Sequence, residues 1–437
     1  MTVTTLPELT EITSPEQLAR LQEDRIAYQL ARARQAPFYA GRLADEGRDH
    51  GRGLTGLPMT TKEELGSSYP RGMLAVPMAE VATYFESSGS DGRPTPAFYT
   101  EQDWFDLTDR FGRKTIGIDA DDVMLVRSPY ALGLAAHLAH ATSRRFGAAV
   151  LPGDNRSSVV PYPRVVRVLH DLGVTLTWSN PTECLLWAAT AQRRGLDPAR
   201  DFPNLRALYV GGEPMSPARR ATIARVWQVP VIDEYGCTEL GSLAGRCAHD
   251  ELHLWADRVQ PEVYDPVTGT ISDTGEGELV VTPLFLQAMP LIRYNLHDWV
   301  RVDAEPCRCG WVLPTVSVRG RAEQGYPVGP ARVTQIALEQ LVFSLPDELG
   351  VWFWRARAER DRLHVQIEVA DHFRAAARDE LTQTVLTTLG VPCEVEALPV
   401  GTLVPTDVLV GTAQSLKPRA LFGPGESWDQ AVVFTAA

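Results

Sequence analysis

Between about residues 75 and 300 the chain alternates short apolar, β-branched runs with longer stretches of helical period, and this alternation restricts the fold more than any other feature. The runs are VMLVRSP from Val123, AAVLPG from Ala148, VTLTWSN from Val174, ALYVGGEP from Ala207 and VPVIDEYG from Val229. Each leads into Gly, Pro, Ser or Asn. Strands alternating with helices pair in parallel, so the expected class is α/β, with a mixed and mainly parallel sheet. Ligands of such sheets sit at the carboxyl ends of the strands. Motifs at those ends therefore carry the functional argument.

The flanks differ. Around Ser14 the sequence carries an N-cap, Pro15 at the first helical position and Gln17 where a capping box wants Glu or Gln. Leu18, Leu21, Ile26 and Leu30 follow at helical spacing, so the first 50 residues read largely as helix. Gly275–Val281 and Leu291–Val302 read as strands of a more antiparallel part. The stretch GRAEQGYPVGP from Gly320 holds turn formers and no apolar period, which suits a linker. Beyond it, VWFWRARAERDRLHVQIEVA predicts two strands, with Trp352 and Trp354 on one face. A helix and a further strand, VPCEVEAL, complete a small α+β unit. The expected division is a large domain over 1–322 and a small domain over 323–437, within the two or three domains that 437 residues allow at about 150 each.

The formal charge of −13 argues against nucleic acid and anionic membrane as partners, though not against a locally basic pocket. Six scattered cysteines suit no disulfide framework, and no secretory signal or membrane-spanning run is visible, so a cytoplasmic protein with reduced thiols is expected.

Four turns bear polar groups suited to chemistry. Ser87-Ser88-Gly89-Ser90-Asp91-Gly92-Arg93-Pro94-Thr95 offers hydroxyls and backbone N–H groups of the kind that surround a polyphosphate. Asp233-Glu234-Tyr235-Gly236-Cys237-Thr238-Glu239 closes a strand with a carboxylate, Glu239, of the type Mg²⁺ prefers beside phosphate oxygens, and with Tyr235, a ring that can stack on a purine. Asp298, at the end of Leu291-Ile292-Arg293-Tyr294-Asn295-Leu296-His297-Asp298, is suited to accept hydrogen bonds from a ribose. Gly211-Gly212-Glu213-Pro214 lets backbone approach a flat ring. Taken singly, each also fits an ordinary solvated turn. Separately, Cys247, His253, Cys307 and Cys309 make a Cys₃His set suited to structural zinc, with His249 as a rival ligand and unliganded thiols as the alternative.

The order of these motifs resembles the phenylacetate–CoA ligase family of adenylate-forming enzymes over nearly the whole chain. The likeness begins at Ala36-Pro37-Phe38-Tyr39 and Leu57-Pro58-Met59-Thr60-Thr61-Lys62, passes through Tyr69-Pro70 and the Ser/Gly loop, and takes in the motifs at Gly212, Tyr235 and Leu291. It ends with Gly320-Arg321 and Lys417-Pro418-Arg419. The resemblance implies a large adenylate-forming domain and a small mobile C-terminal domain. It implies ATP-dependent conversion of an aryl or arylacetic carboxylate to an acyl-adenylate, then transfer to a thiol. Coenzyme A is the expected acceptor. A carrier protein or an amine is the alternative, and a non-catalytic nucleotide- or acyl-binding homologue is a third reading.

By the same resemblance, Ser87, Ser88, Gly89, Ser90, Gly92 and Arg93 would hold the β- and γ-phosphates. Gly212, Glu213, Pro214, Tyr235 and Gly236 would flank adenine, with Gly211 beside the acyl group. Thr238 and Glu239 would serve the α-phosphate and Mg²⁺, Asp298 and Arg321 the ribose, and Lys417 the α-phosphate during adenylation. Glu323 sits where the family's hinge acid does. The acyl pocket would lie between Tyr130 and His140. Dimers are usual among resembling enzymes. Two departures stand out. Asp91 and Arg93 replace the family's usual threonine and lysine, and Asn295-Leu296-His297 stands where Arg-Thr-Gly is usual.

Overall fold

The computed structural model describes residues 6, 8–43, 53–87, 94–157, 159–321 and 325–411. From the N-terminus, α1 (Pro15–Ala33), α2 (Pro37–Arg42) and α3 (Lys62–Ser67) precede the antiparallel pair β1 (Val81–Ser87) and β2 (Thr95–Thr100). Ser14 caps α1 as expected, its Oγ accepting the Gln17 N–H at 3.3 Å. The reciprocal bond lands one residue early, because Gln17 Oε1 accepts from the Thr13 N–H at 2.9 Å.

After α4 (Glu101–Gly112) comes the alternating region: β3 (Val123–Arg127), α5 (Leu134–Arg145), β4 (Ala149–Pro152), α6 (Tyr162–Asp171), β5 (Leu176–Ser179), α7 (Pro181–Arg193), β6 (Ala207–Val210), α8 (Pro217–Trp227) and β7 (Val231–Cys237). These strands pair in parallel in the order β7-β6-β5-β3-β4. Every residue of β5 and β6 is buried, as expected of strands covered by helices on both faces.

An antiparallel half continues the same sheet. It contains β8 (Gly241–Arg246), β9 (Leu252–Leu254), β10 (Val259–Tyr264), β11 (Ile271–Ser272), β12 (Gly275–Pro283), β13 (Tyr294–Asp303) and β14 (Thr315–Arg321). The twelve strands run β11-β10-β12-β13-β14-β9-β8-β7-β6-β5-β3-β4. Leu291–Arg293, expected as strand, precedes β13. There Arg293 takes φ of 49°, outside the β region.

The last part holds β15 (Tyr326–Val328), β16 (Ala331–Val333), α9 (Gln335–Phe343), β17 (Trp354–Ala358), β18 (Leu363–Glu368), α10 (Arg374–Leu389), β19 (Cys393–Leu398) and α11 (Thr406–Val410). The stretch expected to be a linker is more ordered than its composition suggests: Gly320 and Arg321 end β14, and Tyr326–Val328 pairs with β16. Trp352 lies ahead of β17 rather than within it, so the two tryptophans do not share a strand face. Helix α9 carries no clear amphipathic stripe and escaped the sequence reading. Leu338, Leu341 and Val342 of α9 join Val365, Ile367, Leu381 and Val385 in a hydrophobic cluster of this C-terminal part, while Phe343 belongs to the cluster formed by α6, α7, α8 and the parallel strands. Among the described residues no helix is long and apolar enough to cross a membrane.

Candidate nucleotide and acyl site

Strand β7 is where the sheet changes character. Asp233 pairs in parallel with Val210, and the next residue, Glu234, pairs antiparallel with Gly245. The two partners lie on opposite edges of β7, β6 on one and β8 on the other, and the register to β8 is interrupted between Tyr235 and Gly236, which bends the strand's carboxyl end. Gly236 is required there: a Cβ would stand 2.2 Å from the Gly241 carbonyl oxygen. Beneath this bend the Lys114 ammonium pairs with the Glu234 carboxylate. Burial pushes the Glu234 carboxyl up and the Lys114 amine down, with each partner's charge opposing the shift. Lys114 had no signal in the sequence, where it is one basic residue after a helix.

Around the bend the predicted residues converge. Glu239 is buried at 3% exposure, and its Oε1 accepts from Ser87 Oγ at 2.7 Å, joining the first phosphate-loop residue to the expected metal-binding carboxylate. The Thr238 carbonyl accepts from the Tyr99 hydroxyl. Tyr235 donates through its hydroxyl to Asp298 Oδ2 at 2.7 Å, while Arg321 Nε stands 3.7 Å from Asp298 Oδ1. Burial raises the carboxyl of Asp298, partly offset by that hydrogen bond and by Arg321.

On the neighbouring strand, a Cβ on Gly211 would lie 2.7 Å from the Trp178 ring, and Gly212 adopts φ of +80°. Glu213 Oε2 accepts from Thr182 Oγ1 at 2.7 Å and pairs with Arg219 at 3.3 Å, while 30% of the side chain stays exposed. Pro214 follows, its carbonyl 3.5 Å from Arg219 Nη1.

The N-terminal motifs support this site from behind. Tyr39 and Thr60 hydroxyls lie 2.7 Å apart; Thr60 donates to the Ile292 carbonyl at 2.7 Å and Tyr39 accepts the Ile292 N–H at 2.9 Å. They fix the chain just before β13. His297 occupies φ of +55°, a conformation that glycine adopts freely and other residues at a cost. Two contacts hold it there: its N–H donates to Asn295 Oδ1 at 2.8 Å, and its Nδ1 lies 3.3 Å from Glu278 Oε2. The unusual Asn295-Leu296-His297 sequence thus carries its own brace.

Where the acyl pocket is expected, the Tyr130 hydroxyl lies 3.2 Å from His140 Nδ1. His137, which the sequence reading passed over, joins them. Its Nε2 lies 2.9 Å from the Tyr130 carbonyl oxygen, and its ring packs against Tyr130 and Phe85 at centroid distances of 5.1 and 5.5 Å. Phe85 in turn stacks on Trp104 at 5.7 Å. The spacing of His137 one turn before His140 was the available signal.

The four candidate metal ligands come together, with their ligand atoms within 4.8 Å of one another. Cys247 Sγ is 3.9 Å from Cys307 Sγ, and Cys309 Sγ is 3.5 Å from His253 Nε2. His253 Nδ1 faces the Leu313 carbonyl at 2.8 Å, which leaves Nε2 turned inward. His249 is not in the group; its backbone N–H points at Cys247 Sγ from 3.4 Å. Trp311 gives its N–H to Cys309 Sγ at 3.4 Å.

Ser88, Gly89, Ser90, Asp91, Gly92, Arg93, Glu323 and Lys417 lie outside the described residues.

The phenylacetate-coenzyme A ligase of Thermus thermophilus is 28% identical over 431 residues, covering 90% of this chain and 95% of the relative. That of Pseudomonas putida is 29% identical over 423 residues, covering 90% and 93%. Among solved structures, a 2-hydroxyisobutyryl-CoA ligase in its postadenylation state with an acyl-AMP superposes with a TM-score of 0.81 at 22% identity, covering 91% of this chain and 89% of the other. The same ligase in its thioesterification state, with acyl-AMP and CoA, gives 0.66 at 21% identity and 93% of each. The AMP-binding enzyme family matches residues 18–282, more than half of the chain, which therefore belongs to that family.

Proposed function

We propose that this AMP-binding enzyme is an acid–thiol ligase that activates an aryl or arylacetic carboxylate with ATP and passes the acyl group to coenzyme A. The observation that carries this reading is the convergence of Ser87, Glu239, Tyr235, Asp298 and Arg321 at the carboxyl end of β7. The named relatives support it, being phenylacetate-coenzyme A ligases that match this chain over nine tenths of its length.

In the first step a carboxylate oxygen attacks the α-phosphorus of ATP; the bond to the β-phosphate oxygen breaks and pyrophosphate leaves. Asp298 and Arg321 would hold the ribose, with Tyr235 fixing the Asp298 carboxylate and lying against adenine beside Gly212–Pro214. Glu239 would hold the Mg²⁺ that accompanies ATP, which neutralises phosphate charge. Thr238 and Lys417 would serve the α-phosphate, and Ser87 to Arg93 the outer phosphates. A mobile lysine supplies a compact positive charge where negative charge develops. In the second step the thiolate of CoA attacks the acyl carbon, and AMP departs with the electron pair of its bond to that carbon. Tyr130, His137 and His140, with Phe85 and Trp104, would shape an aromatic acyl pocket.

The Cys247, His253, Cys307 and Cys309 set would hold structural zinc. A tetrahedral ion bonded to sulfur at about 2.3 Å and to nitrogen at about 2.0 Å requires S···S of about 3.8 Å and S···N of about 3.5 Å. The observed 3.9 and 3.5 Å fit. With four protein ligands no position is left for catalysis, so the metal would brace the loops beside β9 and β14. We divide the chain functionally at 322/323, with the small domain moving between the two steps, and place the enzyme in the cytoplasm, where its six free cysteines stay reduced. The test is thioester formation: with MgATP, an aromatic acid and CoA, the products should be AMP and the acyl-CoA. Acyl transfer only to an amine or to a carrier protein would refute the choice of acceptor.

A further inference from the structure

We infer that Glu339 is a positioning residue that fastens the small C-terminal part against the large one in the arrangement used for acyl-adenylate formation, and that it reaches the nucleotide loop through Arg219. This rests on the two-step reaction proposed above. Glu339 belongs to α9, whose neighbours Leu338, Leu341 and Val342 pack in the core of the C-terminal part. Its carboxylate nevertheless points into the large part, at the start of α8, and is buried with 2% of its side chain exposed.

The contacts are those of a helix cap supplied from another part of the chain. A helix start leaves N–H groups without intrahelical partners and carries partial positive charge. At α8 the N-cap Ser216 spends its own hydroxyl on the Arg219 N–H, at 3.2 Å. The Ser216 N–H then donates to Glu339 Oε1 at 2.7 Å, and the Ala218 N–H donates to Gln340 Oε1 at 3.0 Å. Glu339 Oε2 pairs with Arg219 Nη1 at 3.2 Å. The other arm of Arg219 donates to Thr182 Oγ1 at 2.7 Å and to Glu213 Oε2 at 3.3 Å. Glu213 is the third residue of Gly211-Gly212-Glu213-Pro214. One guanidinium therefore bridges a carboxylate in the adenine-flanking loop and a carboxylate on the C-terminal part.

The energetics suit a joint that must open. A buried ion pair gains Coulomb energy and loses hydration in similar measure, so it fixes geometry without a large net stabilisation. When the C-terminal part swings away, both charges return to water and recover that hydration. Arg225 and Asp347 add a contact of 2.6 Å at the exposed rim, where an ion pair contributes little. A cleft of about 560 Å³ adjoins Glu339, lined by Thr182, Glu213 and Arg219 on one side and Trp354 and Leu363 on the other. Solvent thus reaches the joint from one flank.

The experiment measures the two half-reactions separately in the full-length enzyme, with phenylacetate or the best acid of an aromatic panel as probe. In Glu339→Gln, acid-dependent ATP–pyrophosphate exchange should fall about tenfold, the difference between charge-assisted and neutral hydrogen bonds. Thioester formation from supplied acyl-adenylate and CoA should be retained, and small-angle scattering should show a larger radius of gyration than the wild type. Gln340→Ala, which keeps the ion pair, should show the same split to a smaller degree. Equal loss in both half-reactions, or unchanged exchange with unchanged scattering, overturns the inference. If the wild type shows no exchange with any acid, the proposed reaction fails on its own; an unchanged radius in Glu339→Gln then still rejects the latch, and an enlarged one supports it.

Discussion

Asp298 shows what a single residue position does and does not reveal. Its place at the end of a motif marked it for the ribose, yet nothing linear announced that the Tyr235 hydroxyl would hold it at 2.7 Å or that Arg321 would stand across from it in the ladder. The Tyr235–Asp298 pairing joins residues 63 apart in sequence, and only the sheet brings them together. Replacing Asp298 by Asn keeps the shape and removes the charge; the KM for ATP should rise about tenfold, read from initial rates at saturating acid, since hydrogen bonds to charged groups exceed neutral ones by roughly that factor. An unchanged KM would place the ribose elsewhere. Asp91 tests the phosphate loop. A carboxylate beside a polyphosphate is repelled unless a cation lies between, so Asp91→Thr should lower the KM for ATP. A higher value would mean that Asp91 has a productive partner.

Elements were legible where their periodicity was strong. The five parallel strands and the C-terminal strand, strand, helix and strand stand where their patterns put them, because a buried strand needs an apolar run and a turn to end it. Helix α9 was missed because its residues are apolar on several sides: one face packs in the C-terminal core, and Phe343 packs on the other part of the molecule. The Cys₃His group was legible as a composition but not as a choice between His249 and His253. Strand β9 makes that choice by directing the buried His253 inward. One zinc per chain is therefore expected by elemental analysis of protein purified without added metal. Chelation, or Cys309→Ser, should lower the thermal midpoint by several degrees, about what a loss of one to two kcal/mol produces in a domain this large. Protein that is metal-free and equally stable would reject the site.

At the scale of the whole molecule, the two parts are joined by α9 on α8, by α11 against α6 and α7, and by Trp352, Phe353 and Trp354 packed on the cluster of the large part, with two clefts beside these contacts. The acidic total of −13 says nothing of this site, where the buried Arg219 and Lys114 and the half-exposed Arg321 stand beside carboxylates. Net charge is a property of the surface as a whole, and a pocket's charge is set by which few residues the fold turns inward. All of this depends on one claim, that the residues gathered at the end of β7 make an acyl-adenylate. Pyrophosphate release with MgATP across a panel of aromatic and arylacetic acids tests it most directly. At least one acid should drive release in the wild type, and Glu239→Gln should lose it by about a hundredfold or more, as when a group stabilising transition-state charge is removed. No release with any acid, or release undiminished in Glu239→Gln, would contradict it.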